Sequence, residues 1–108
     1  MQETRPVACT LTDLDLRDRR SAWLKVGQYA IEGTPITGGM RFRFTPAAGV
    51  EQSLSTLIKL EAECCEWMTL KLTELSDGLT MSVTALGDDG QFAVREIFAP
   101  LLALVRGR

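Results

Sequence analysis

Met40-Arg-Phe-Arg-Phe44 alternates apolar and cationic residues without a break. Successive side chains of a strand point to opposite faces, so an extended segment of this kind buries one face and wets the other. Met40, Phe42 and Phe44 then point one way, and Arg41 and Arg43 the other. The same period returns from Trp67 to Leu75, where Met68, Leu70 and Leu72 oppose Thr69, Lys71 and Thr73. It returns again from Leu79 to Ala85, where Leu79, Met81, Val83 and Ala85 oppose Thr80, Ser82 and Thr84. Ser76-Asp77-Gly78 between these two runs is a hairpin turn signal. Strands with one apolar and one polar face call for a sheet covered on one side only.

The covering elements are read from the remaining periodicity. Val7 to Leu11 is a short strand candidate, with Cys9 on the same face as Val7 and Leu11. Thr12 is an N-cap candidate for a first helix running to about Ala30, whose apolar face is Leu16, Trp23, Val26, Gly27 and Ala30, flanked by Arg19 and Arg20. Gly33 to Gly39 carries two turn signals. Thr45-Pro46 reads as N-cap and first residue of a second helix reaching Cys65, with Gly49 a mild weakness near its start. Gly87 to Gly90 reads as a loop. A third helix starts near Gln91, uses Phe92, Ile97, Phe98, Leu101, Leu102 and Val105, and is kinked or split by Pro100. The expectation is a single α+β domain over residues 1–108. It is a two-layer sandwich with the order β-α-β-α-β-β-α, a four-stranded mixed sheet and helices on one face. The polar sheet face is most simply solvated; as a surface it also suits a dimer interface or an anion.

Composition narrows the function classes. The 108 residues hold 45% hydrophobic and 24% charged residues, which suits one packed core and argues against disorder. Twelve basic and 14 acidic residues leave a net charge of −2 with no basic run, unlike a nucleic-acid binder. No apolar run is long enough to span a membrane, and the first residues lack the apolar core of a signal peptide. Three cysteines, an odd number, point to free thiols in the cytoplasm rather than a secreted disulfide framework. The chain has no histidine, which removes His-based acid/base chemistry and every Cys-His or Ser-His dyad.

The second helix carries the candidate site. At about 100° per residue, Leu54, Leu57, Ile58, Cys65 and Met68 share one stripe, with Cys64 on its flank. Glu61 falls in the middle of that stripe, where a carboxylate costs several kcal/mol unless it is paired, protonated or metal-bound. An ion pair with Arg19 or Arg20, or with Arg41 or Arg43, would satisfy it without any functional role. Neighbouring side chains on a helix diverge, so a Cys64–Cys65 bridge would be strained. Their place at a helix C-terminus, beside Glu61, disfavours a free nucleophilic thiolate and favours thiolates neutralised by a cation. If the first strand lies beneath the second helix, Cys9, Glu61, Cys64 and Cys65 form a three-thiolate, one-carboxylate set. Such a set suits Zn(II), Cu(I) or a heavier thiophilic ion such as Hg(II). Against this stands the commonest fate of a free cysteine, that of a small buried hydrophobe. Trp67 falls on the polar strand face, Trp23 reads as core, and the glycines form no phosphate-binding fingerprint.

Val7-Ala-Cys-Thr-Leu11, Met40-Arg-Phe-Arg-Phe44, and Glu61-x-x-Cys64-Cys65 entering a Leu-alternating hairpin together resemble a family of short, uncharacterised bacterial proteins. That family has an ACTL … ExxCC … L layout. The resemblance spans nearly the whole chain. It implies that Cys9, Glu61, Cys64 and Cys65 are the marked positions, and it implies an association with thiophilic-metal resistance. Trp67 stands where many relatives have Phe, which keeps an aromatic there.

Three readings follow. The first is a small cytoplasmic protein that binds a soft metal ion through Cys9, Cys64 and Cys65, with Glu61 as fourth ligand or as support for the ligands. The second is a non-catalytic domain that forms a homodimer or docks a protein through the polar sheet face or the third helix. The third is an enzyme using Glu61 as a buried acid/base near Cys65. This last reading requires a cavity at Glu61 and a carboxyl group without an arginine partner.

Overall fold

The computed structural model describes residues 13–76 and 78–107, without the side chains of residues 13–16 and Cys64. The expected strand at Val7 to Leu11, the Thr12 cap and Cys9 lie outside the described residues. The chain opens with helix α1 (Asp13–Val26) and a 3-10 turn (Gly27–Tyr29). It continues through strands β1 (Ala30–Ile36) and β2 (Gly39–Phe44), helix α2 (Val50–Cys64), strands β3 (Met68–Leu75) and β4 (Gly78–Ala85), and helices α3 (Gly87–Ile97) and α4 (Ala99–Arg106). The four strands form one antiparallel sheet in the order β1-β2-β4-β3, not the mixed sheet expected, because each pair of hydrogen-bonded neighbours runs in opposite directions. β2 and β3 run the same way with β4 between them, so α2 is a crossover that lies on the sheet.

The α+β architecture has the expected alternation. Met40, Phe42, Phe44, Met68, Leu79, Met81, Val83 and Ala85 are buried, and Leu70 and Leu72 pack against them. Arg41, Thr69, Lys71 and Thr73 are exposed. The core is closed from the helix side by Trp23 and Val26 of α1, Val50, Leu54 and Leu57 of α2, Val94 of α3, Phe98, and Leu101 of α4. Trp67, expected on the polar face, instead packs against this core.

Three boundaries differ from expectation, each for a local reason. The segment 30–36 is a strand, where the end of the first helix at Ala30 and turn signals from Gly33 were expected. It pairs with β2 after an irregularity between Ala30 and Glu32, and Pro35 is tolerated because β1 is the sheet edge. The two strands join through Thr37-Gly38, where Gly38 takes a φ of 85°. In α2 the N-cap is Gly49 at φ 84°, not Thr45. The weak spot expected inside the helix is its starting point, and Gly49 accepts the Ser53 amide at 2.9 Å. Helix α3 starts at Gly87, which turns Val94 inward and leaves Phe92, two residues and about 200° away, 61% exposed. Pro100 splits the C-terminal helix as expected: it stands in the first turn of α4, beyond the junction at Phe98.

Candidate functional site

The apolar stripe of α2 brings Glu61 inside. Leu54, Leu57 and Cys65 of that stripe are buried, and Glu61 is only 4% exposed. It is the buried charged residue among the described residues. Its carboxylate meets partners from α1 and from the end of α2. The Trp23 indole Nε1 donates to Oε2 at 2.6 Å. The Arg19 guanidinium lies 3.2 Å from Oε1, and the Cys65 thiol donates to Oε1 at 3.8 Å. Trp23 and Arg19 are one turn apart on α1, so both face α2. Phe98 meets the Trp23 ring edge-on, with centroids 5.2 Å apart and planes at 78°, and so orients the indole toward Glu61.

Cys65 closes α2. Its amide donates to the Glu61 carbonyl at 2.7 Å and its carbonyl accepts the Met68 amide at 3.0 Å. Its φ of −128° and ψ of 72° turn the chain out of the helix toward β3. Its side chain is buried, 1% exposed. No basic residue stands in the last turn of α2, so the helix's partial negative charge is unopposed from within.

Glu61 and Cys65 share the wall of a cavity of about 390 Å³. Arg19, Trp23 and Leu24 of α1 line one side, and Phe98, Pro100 and Leu101 the other. Arg20, Glu96 and Ile97, all exposed, also contribute to the lining. The split of the C-terminal helix at Phe98 is what leaves this space between α1, the end of α2 and the α3–α4 junction.

Of the expected site residues, the structure brings Glu61 and Cys65 together. Cys9 and the Cys64 side chain lie outside the described residues. Among the described residues, no group of three or more Cys, Asp or Glu side chains is placed to hold a metal. Arg19, one of the four arginines anticipated for Glu61, is its partner, which counts against Glu61 as an acid/base. Trp23 is core, as expected, but it is also a hydrogen-bond donor to the site. Its signal in the sequence was only its position on the helix-one face that also carries Arg19. Trp67 Nε1 is buried without a hydrogen-bond partner among the described residues. No described helix is long and apolar enough to cross a membrane. In comparisons with known proteins, no family model, curated protein or solved structure matches the chain.

Proposed function

We propose that the chain is a small thiolate-based binding protein for a soft metal ion, with Cys65 as its central ligand. The observation that carries this reading is the buried Cys65 thiol in a cavity wall, donating to the Glu61 carboxylate. A soft ion binds the thiolate and displaces the thiol proton, and the carboxylate hydrogen-bonded to that thiol adds negative charge beside the bound cation. Arg19 and Trp23 hold that carboxylate in place, which makes Glu61 a support for the ligand rather than a ligand itself. Cys64, next in sequence, and Cys9 are the further thiols that would complete a site for Zn(II), Cu(I) or Hg(II). A reducing compartment, the cytoplasm, keeps such thiols free.

The test is a titration of the reduced chain with Hg(II) and Cu(I), followed by near-ultraviolet thiolate-to-metal charge-transfer absorption. The expected result is saturation at one equivalent, with the band lost or its affinity cut at least about 100-fold in Cys65→Ser and reduced about 10- to 100-fold in Glu61→Gln, as for groups that orient a ligand. An unchanged titration in Cys65→Ser contradicts the reading.

A further inference from the structure

The charged side chains around the cavity fall into two sets. Arg19 and Glu61 stand in its wall and engage each other at 3.2 Å, with the Trp23 indole and the Cys65 thiol also on the carboxylate. Arg20 and Glu96 are exposed and line the same space. Neither has an ion-pair partner among the described residues. Arg20 comes from α1, one turn before Leu24, and Glu96 from the last turn of α3, beside Ile97. They belong to opposite walls of the cavity, α1 and the α3–α4 junction. Between them the lining is apolar: Trp23, Phe98 and Leu101 are buried, and Leu24 and Pro100 are half-buried. The volume of about 390 Å³ is that of a small-molecule site, and an apolar cavity of roughly 150 Å³ already holds benzene.

We infer that this cavity binds a free apolar α-amino acid with a side chain of leucine to phenylalanine size, its carboxylate on Arg20 and its ammonium on Glu96. A guanidinium matches a carboxylate through two parallel N–H···O bonds, and a carboxylate accepts from an ammonium. The ligand's side chain leaves water against Trp23, Phe98 and Leu101, which supplies the larger share of the affinity. The charges at the mouth supply the selection, because an exposed pair contributes little binding but favours one arrangement of charge. The lining holds two cations and two carboxylates, and a zwitterion leaves that balance unchanged. An apolar acid would leave Glu96 unmatched, and an apolar amine would leave Arg20 unmatched. The inference does not rest on the soft-metal reading, since Cys65 contributes only wall to this ligand.

The probes are L-phenylalanine, phenylethylamine, phenylpropionate and glycine. Each is titrated into the reduced full chain without metal and read by nitrogen–proton correlation NMR at the Trp23 indole and the Leu24 and Leu101 amides. Phenylalanine should shift these signals saturably. It should bind about fivefold more tightly than either the amine or the acid, the upper end of what an exposed ion pair contributes. Glycine keeps both charges but buries no side chain, and should leave the signals unmoved. Arg20→Gln should cancel only the preference over phenylethylamine, and Glu96→Gln only the preference over phenylpropionate. Both positions are exposed, so neither change threatens the fold, and a general loss of packing would not divide the two preferences in this way. The inference is overturned if phenylalanine leaves the Trp23 signal unmoved at about 10 mM, where a millimolar site is nearly saturated. It is equally overturned if the amine or the acid binds as tightly as phenylalanine, or if both preferences survive both substitutions. None of these outcomes bears on the soft-metal reading, which stands or falls on the metal titration of Cys65→Ser.

Discussion

Glu61 sits among apolar neighbours because its carboxylate is satisfied from two helices. Arg19 and Trp23 come from α1, and Cys65 lies one turn ahead on α2. The side chains of Arg19 and Glu61 are 14% and 5% exposed, so removing one leaves the other poorly compensated. Glu61→Leu should therefore destabilise the fold by about 3–5 kcal/mol, the usual cost of breaking a buried pair. The double variant Arg19→Met, Glu61→Leu should be more stable than Glu61→Leu alone, since two apolar groups leave no buried charge. Urea unfolding of the four species measures this directly, and strictly additive losses would contradict the pairing. Trp23→Phe removes the donor to Glu61 and part of the buried ring, leaving a small void, which should cost about 2–4 kcal/mol. The sequence showed that Glu61 needed a partner, because the period of α2 put it in the stripe. It left Arg19 and Arg20 as candidates, with Arg41 and Arg43 if a strand edge lies near. Choosing among them takes the crossing of α1 over α2, which no local pattern encodes.

At the scale of elements, glycines mark where the chain must depart from regular geometry. Gly49 starts α2 in the left-handed region, at φ 84°, with open space around the position a Cβ would take. Gly49→Ala should cost only about 1–2 kcal/mol, from backbone strain alone. Gly39 is different: a Cβ there would overlap the Val83 carbonyl across the β2–β4 ladder. Gly39→Ala should prevent proper pairing of these central strands and lower the melting temperature far more than Gly49→Ala, as thermal unfolding by circular dichroism would show. Similar melting temperatures for the two variants would contradict this ranking. β2, β3 and β4 were legible because each alternates cleanly with one buried face. β1 was not, because Ala30-Ile-Glu-Gly-Thr-Pro-Ile36 contains a glycine, a proline and a register irregularity, and its extension is imposed by pairing with β2. The cavity was equally hidden. Pro100 announced a break in the last helix, but the space left by that break depends on where α1 passes.

Across the described residues one core joins the sheet to all four helices, with Phe98 meeting Trp23 edge-on and Phe42 at a tilt. The opposite sheet face is polar. Thr34, Arg41, Ser82 and Lys71 lie in register across the strands, and so do Glu32, Arg43, Thr80 and Thr73, with Arg43 paired to Glu32 at 3.0 Å. A second copy docked face to face on this surface would bring Arg41 and Lys71 against charges of the same sign, which opposes that dimer. A single core predicts one cooperative transition, so tryptophan emission and far-ultraviolet circular dichroism should report the same urea midpoint. Separate midpoints would mean that the helical layer unfolds apart from the sheet. A ligand that binds only the folded chain should raise that midpoint, adding about 2.7 kcal/mol to the unfolding free energy at a free concentration of about 100 times Kd. The central claim is that Cys65, supported by Glu61, is a soft-metal ligand. A native mass spectrum of the reduced chain, titrated with Zn(II), Cu(I) and Hg(II) beside the Cys65→Ser variant, tests it most directly. One tightly held equivalent that disappears in the variant is the expected result. No retained metal in either protein, or the same equivalent in both, would make Cys65 a packing residue and contradict the claim.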